Sequence, residues 1–261
     1  MMRASQIGTS ARHLRLIIPP ARRGLVAPPA HTLMPGVKLL VCDMAGTTVE
    51  EAGLVYATLQ SCMNDAGLGV STEDMGPWHG AQKSAVVAHF AQRAGFSAGA
   101  SVEIEDKINS SFEAELEASY MAEGSPLALI DPKLPDYFAG LRSSGVKVGL
   151  NTGYPRKLQA ALLKKLRLDE MVDGFVSAQD VRAGRPSPFM VHHLMEQLDV
   201  YDVKTVAKAG DTERDIEEGL NAGCGQVIGV LSGADSREAL VKVGAQTIAQ
   251  NITCLPLGLA A

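Results

Sequence analysis

Two hydrophobic rhythms alternate along the chain. Short apolar runs that stop abruptly at polar or glycine residues occur at Val37–Cys42, Val146–Leu150, Thr205–Ala209 and Gln226–Leu231. Runs of this length read as strands buried on both faces. Between and after them, apolar residues recur every three or four positions over Pro132–Ser144, Pro155–Leu166, Ser187–Leu198 and Arg214–Ala222, the period of an amphipathic helix. Strand and helix repeats at this spacing predict an α/β fold, a parallel sheet with helices on both faces. In such sheets ligands sit beyond the carboxyl ends of the strands.

The span 53–130 breaks this rhythm. It holds no strand-like run, and Leu54–Ala66, Ala85–Ala94 and Ser101–Met121 read as amphipathic helices. Glycine and proline punctuate it at Gly76-Pro77, Gly95, Gly99 and Gly124. The pattern predicts a small helical cap, residues 53–130, inserted after the first strand. It would cover the ligand edge of a core built from 36–52 and 131–261. Residues 1–35 are different again. No acidic residue occurs from Met1 to Cys42, while Arg3, Arg12, Arg15, Arg22 and Arg23 do. Five prolines, at 19, 20, 28, 29 and 35, argue against a packed domain there. An acid-free, Arg-rich leader reads as an organelle transit peptide. A solvated basic tail, or an upstream start with Met34 as the true one, are the other readings.

Composition narrows the classes. The chain has 261 residues, 46% hydrophobic and 20% charged, with a net charge of -5. That is an ordinary globular balance, without the basic face a nucleic-acid partner requires. No apolar run reaches the roughly 18 residues of a membrane helix, so neither nucleic acid nor membrane is an expected partner. Cys42, Cys62, Cys224 and Cys254 make no C-x-x-C pair. Scattered cysteines fit a reducing compartment rather than a zinc or disulfide framework. The expectation is a soluble intracellular protein, cytoplasmic, or mitochondrial or plastid if the leader is a transit peptide. The sequence leaves the oligomeric state open, a homodimer included.

Four polar clusters fall at the predicted sheet edge. They are Asp43-Met44-Ala45-Gly46-Thr47-Thr48, Asn151-Thr152-Gly153-Tyr154, Arg182 to Pro188, and Gly210-Asp211-Thr212-Glu213-Arg214-Asp215. Singly each is an ordinary turn or cap. Together they supply the parts of phosphoryl transfer. A carboxylate such as Asp43 can be a nucleophile that forms an aspartyl-phosphate. Asp43, Asp211 and Asp215 offer the hard oxygen ligands that Mg²⁺ takes. Thr152 can hydrogen-bond a phosphoryl oxygen, and Arg185 can neutralise charge building on the transferred group.

D-M-A-G-T-T-V at Asp43–Val49, N-T-G-Y at Asn151–Tyr154, A-G-R-P-S-P at Ala183–Pro188 and G-D-T-E-R-D at Gly210–Asp215 resemble the haloacid dehalogenase superfamily. They resemble most its phosphonoacetaldehyde hydrolase (phosphonatase) branch and phosphonatase-like relatives. The resemblance runs from about Val37 to Gly233, and the helical insertion falls where that family carries its cap. It implies a Rossmann-like core. Most phosphatases of the superfamily have a second Asp two residues after the nucleophile, an acid for the departing alkoxide. Here that position is Ala45, which offers a backbone carbonyl to Mg²⁺, and phosphonatases likewise carry Ala. They cleave a P–C bond, with a cap lysine forming a Schiff base to the substrate aldehyde. Lys83, in Gly80-Ala81-Gln82-Lys83, matches that lysine. It falls in the first turn of a helix, whose electropositive end favours the neutral amine. The alternative is a surface lysine on an amphipathic helix.

The chain departs from the phosphonatase pattern at Val86, where that family has His. His79, just before Gly80, is read as a core or surface histidine, with a substitute for that His as the alternative, and His89 is expected on the helix surface. Gly153, Gly80 and Trp78 are assigned to substrate contact, Trp78 as a wall of the pocket between cap and core. Glu217 and Glu218 are expected on an exposed helix face. The favoured reading is a Mg²⁺-dependent hydrolase of a small phosphonate or phosphorylated metabolite, specifically phosphonatase-like. A phosphomonoesterase similar to phosphoglycolate phosphatase, or a non-catalytic binding protein on the same fold, are the competitors.

Overall fold

The computed structural model describes residues 32–256 except Gly80, Gln82 and Ser97, with the side chains of 98–101 also left undescribed. The leader reading therefore lies almost wholly outside the described residues. The chain enters through β1 (Leu39–Asp43), every residue of which is buried. A short strand, β2 (Val49–Glu50), leads into four helices: α1 (Leu54–Asp65), α2 (Thr72–Met75), α3 (Lys83–Arg93) and α4 (Ala98–Met121). The chain returns through β3 (Ala128–Leu129), which pairs antiparallel with β2. Entry and exit of the helical insertion are thus tied side by side by one two-stranded ribbon. The sequence reading had no strand there, because two residues carry no period.

After the ribbon come α5 (Leu134–Ser143), β4 (Lys147–Thr152), α6 (Arg156–Lys165), α7 (Leu168–Met171), β5 (Gly174–Ser177) and α8 (Phe189–Gln197). Then follow β6 (Val206–Gly210), α9 (Glu213–Ala222), β7 (Gln226–Val230), α10 (Arg237–Val243) and β8 (Thr247–Ala249). The six long-range strands form one parallel sheet in the order β5-β4-β1-β6-β7-β8. All four strands read from the sequence are in it. The two it lacked, β5 and β8, are the edges. They are short, and β5 exposes Phe175.

Strand alternation splits the core into two layers. Leu40, Cys42, Val148, Leu150, Ala209 and Ile228 point to one face, where α5 and α6 cover them with Phe138, Leu158 and Leu162. Leu39, Val41, Val206 and Val227 point to the other, against Met190, Leu194, Ile216 and Leu240 of α8, α9 and α10. The first layer continues into the helical insertion through Val55, Leu59, Phe90 and Phe112. The strand order reverses at β1: the chain runs outward from β1 through β4 and β5, then crosses back to β6. Such a switch opens a crevice at the carboxyl ends of the strands, here beside Asp43 at the end of β1 and Asp211 just past β6.

Candidate active site

Each polar side chain of the site is placed by the end of a regular element. Asp43 is the last residue of β1 and faces Asn151 of β4 in register. Thr152 ends β4, and its Oγ1 accepts the Tyr154 N–H at 3.2 Å. The turn after β1 needs Gly46 twice over. Its φ is +75°, and a Cβ there would lie 2.5 Å from Asp211 Oδ2. Across the site a Cβ at Gly233 would lie 2.0 Å from the same oxygen. The Asp211 carboxylate is thus cradled by two glycines, and it accepts hydrogen bonds from Thr47 Oγ1 (3.0 Å) and Ala234 N (2.9 Å).

Arg185, on the loop before α8, is the hub. Its Nη2 reaches Asp43 Oδ1 at 2.5 Å and Asn151 Oδ1 at 2.8 Å. Its Nε faces Asp215 Oδ1 at 3.1 Å and Glu218 Oε2 at 3.2 Å. Glu218 is fully buried, not on an exposed face. It sits three residues after Asp215 on α9, so both carboxylates point the same way into the sheet. Lys208, fully buried in the middle of β6, holds Asp215 at 2.7 Å. The sequence signal for this network was there in part: a lysine inside the run V-A-K-A-G has to find a buried anion.

Asp215 is also the N3 residue of a capping box. Thr212 Oγ1 receives its N–H, and its own Oδ2 accepts from Thr212. Both its oxygens are therefore engaged. Burial would raise its carboxyl, but Arg185 and Lys208 outweigh that and hold it below the ordinary range. Asp43 and Asp211 behave oppositely. Burial, only partly offset by Arg185, raises Asp43. Burial, then the charges of Asp43 and Asp215, push Asp211 well above the usual carboxylate range.

One oxygen from each of Asp43, Asp211 and Asp215 lies within 4.8 Å of the others, a donor set that suits a hard cation. The charge count agrees. Four buried carboxylates, Asp43, Asp211, Asp215 and Glu218, face two buried cations, Arg185 and Lys208. One divalent cation would balance them.

The crevice is roofed by the helical insertion into a cavity of about 370 Å³, into which Asp43, Ala45, Thr152, Gly153, Arg185, Asp211 and Lys83 all open. Lys83 is the first residue of α3 and is buried, 6% exposed, not on the surface. Its Nζ donates to the Ala81 carbonyl at 3.2 Å and lies 4.6 Å from the centre of the Tyr56 ring. Burial lowers its amine to about 8 against the opposing pull of Glu51 and Asp43. Desolvation, rather than the helix end, is the leading cause. His79 also opens into the cavity, its Nδ1 3.9 Å from Asp235.

Trp78 does not line the cavity. It packs on His89 and Phe90, with Arg214 stacked 5.5 Å from its ring. His89 is exposed on that helix, as expected. Gly80 lies outside the described residues. Sequence reasoning missed Glu51, Tyr56 and Tyr120 and left Tyr154 a weak case, yet they wall the Lys83 end of the site or pack directly beneath it.

A family model for haloacid dehalogenase-like hydrolases matches residues 37–223, and the chain belongs to that family. The phosphonoacetaldehyde hydrolase of Paraburkholderia phytofirmans is 28% identical over 211 residues, 77% of each chain. That of Parabacteroides distasonis is 36% identical over 135 residues, 50% of this chain and 48% of its own. The crystal structure of a phosphonoacetaldehyde hydrolase-like protein from Oleispira antarctica superposes with a TM-score of 0.71. It does so at 22% identity, over 88% of this chain and 93% of that one, a likeness of fold. The protein is therefore a hydrolase with a Rossmann-like α/β core. Among the described residues no helix is long and apolar enough to cross a membrane.

Proposed function

We propose that the protein is a Mg²⁺-dependent, phosphonatase-like hydrolase that cleaves the P–C bond of a small phosphonate bearing an aldehyde. The carrying observation is that one cavity holds a buried carboxylate, Asp43, and a buried amine, Lys83, lowered to about 8, with Ala45 where a second acid would stand. The named activity of the two bacterial relatives supports the same reading.

Asp43 is the nucleophile toward phosphorus, and Arg185 orients its carboxylate from one side. Thr152 and the Arg185 guanidinium line the cavity where the phosphoryl oxygens would lie. Asp43, Asp211 and the Ala45 carbonyl would hold Mg²⁺. Asp215, with both oxygens engaged, acts as their support rather than as a direct ligand. When bound, Mg²⁺ supplies charge neutralisation at the phosphoryl group.

At the other end Lys83 condenses with the aldehyde. The resulting iminium takes up the electron pair of the P–C bond as Asp43 bonds to phosphorus, giving an enamine. Its carbon takes a proton from solvent, and water then hydrolyses the iminium so formed to free the aldehyde and the Lys83 amine. Water then releases phosphate from Asp43. A carbon leaving group held as an iminium needs no acid at position 45, which accounts for Ala45. The small phosphonate is the only partner this chemistry requires.

The test is a screen with Mg²⁺ in which phosphonoacetaldehyde competes with a panel of phosphate esters, reading phosphate and aldehyde release. Release of both from phosphonoacetaldehyde is expected. Robust ester hydrolysis with no P–C cleavage would replace this reading by a phosphomonoesterase.

A further inference from the structure

Glu51, in the link between β2 and α1, is a buried carboxyl at the Lys83 end of the cavity, 6% exposed. Its Oε2 accepts hydrogen bonds from the Tyr154 hydroxyl at 2.9 Å and from the Tyr120 hydroxyl. Those two hydroxyls lie 3.2 Å apart. Three elements far apart in sequence thus converge to hold one acid against the substrate space. The carboxyl opens into the cavity that also holds the Lys83 amine.

The neighbouring groups leave Glu51 as the proton carrier at this end. Glu50, its sequence neighbour, also borders the cavity but is exposed and spends its carboxylate on the Ala52 N–H, and Val86, one turn beyond Lys83, is buried and apolar. His79 is directed toward Asp235. The charged and titratable groups acting on Glu51 are Tyr120, Tyr154, Lys83 and Asp43. Those acting on Lys83 are Glu51, Asp43, Arg185 and Asp211, with Tyr56 against its ammonium. Burial is the leading influence on both and drives each toward its uncharged form, the carboxyl upward and the amine downward. An amine and a carboxyl that open into one cavity, each driven toward its uncharged form, are the two groups that imine formation draws on.

The geometry points to Glu51 as the acid–base residue of Lys83 chemistry, a catalytic role that rests on the imine reading above. The Lys83 nitrogen bonds to the aldehyde carbon, and a proton passes from nitrogen to oxygen to give the carbinolamine. Glu51 then gives its proton to the hydroxyl, which leaves as water as the C–O bond breaks. The nitrogen keeps one proton as the iminium, opposite the new Glu51 carboxylate. One amine, one aldehyde and one proton become one iminium and one water. Glu51 recovers the proton when water releases the product aldehyde from Lys83.

The test uses acetaldehyde, which has no phosphorus and so isolates Lys83 from Asp43. The rate of borohydride-trapped adduct on Lys83 is measured by mass spectrometry against pH, in wild type and in Glu51→Gln. The amide still accepts from both tyrosines but has no acid proton. Wild type should trap with a two-limbed pH profile. Glu51→Gln should trap about 10²- to 10⁴-fold more slowly. It should keep a single limb, with a midpoint below that of wild type because the anion that raises the Lys83 amine is gone. Its melting curve separates this from unfolding. If Glu51→Gln does not fold, Tyr120→Phe decides. It removes a hydroxyl that favours the carboxylate, so the Glu51 limb should move to higher pH. Adduct in wild type with an unchanged rate and profile in Glu51→Gln, or an unmoved limb in a Tyr120→Phe protein used in its place, overturns the role of Glu51 and leaves the imine reading standing. No adduct even in wild type overturns both.

Discussion

At the sheet end of the cavity Asp43 and Thr152 are the last residues of β1 and β4, and Asp211 follows β6 directly. At the helical end Lys83 opens α3, and Glu51 sits in a two-stranded ribbon's exit. The first set is spaced by the hydrogen-bond ladder: β1 is paired on both sides, with Asp43 opposite Asn151. A buried ion network then fixes the side chains. The second set depends on packing of Tyr56, Tyr120 and Tyr154 from three separate segments. A strand end needs only a residue at the right place in a run, whereas a packed wall needs three segments to meet. The sheet end should therefore be intolerant of charge changes, and the helical end should control which substrate reacts.

The sharpest test of the sheet end is Asp43→Asn, which keeps shape but removes the proposed nucleophile. Phosphate release should fall by at least about 10⁴-fold with the melting curve nearly unchanged. Near-normal turnover in the purified variant would end the proposed chemistry. Exhaustive chelation should silence turnover next, with Mg²⁺ restoring it and Ca²⁺ doing so poorly, because its looser shell holds reactants less well. Full activity without metal would leave the pairing of Asp43 with Asp211 unexplained.

Breaking the helical end should look different. Lys83→Arg keeps the charge but cannot condense with a carbonyl, so P–C cleavage should be lost while the fold persists. In wild type, borohydride trapping with phosphonoacetaldehyde should rise from low pH as the Lys83 ammonium, its amine lowered by burial to about 8, gives way to the amine, and fall again once Glu51 has lost its proton. Retained cleavage in Lys83→Arg would reduce Lys83 to an electrostatic anchor.

Lys208→Met tests the network beneath the sheet end. It leaves Asp215 and Glu218 sharing Arg185 alone, and urea unfolding should report a loss of about 3–5 kcal/mol. The smallest effect belongs to Trp78→Phe. Since Trp78 packs on α3 outside the cavity, KM should change by no more than roughly twofold. A large rise would put the indole back in the substrate's path.

The legible parts of the chain were those governed by local pattern. Buried runs that end at Asp43, Thr152 and Asp211 announce both a strand and the polar residue at its tip. Glu218 was misread because its helix looks amphipathic with acids outward, and only the position of Arg185, 33 residues earlier, shows that it faces in. Trp78 packs away from the cavity, on His89 and Phe90, because a residue beside a loop can turn either way and only its tertiary neighbours decide which. β5 and β8 were invisible because edge strands of three or four residues carry too few side chains to establish a period.

The sequence by itself determined the α/β order, the helical insertion after the first strand, and the four polar clusters at one sheet edge. These follow from hydrophobic periodicity and from residues whose chemistry is local. Only the tertiary structure decided that Lys83 is buried, that Asp215 spends both oxygens on Lys208 and a helix cap, and that Glu51, Tyr120 and Tyr154 meet beneath the cavity. The reason is physical. Desolvation and hydrogen bonding between segments 34 to 103 residues apart exist only once packing has brought them together, and no local pattern encodes that meeting.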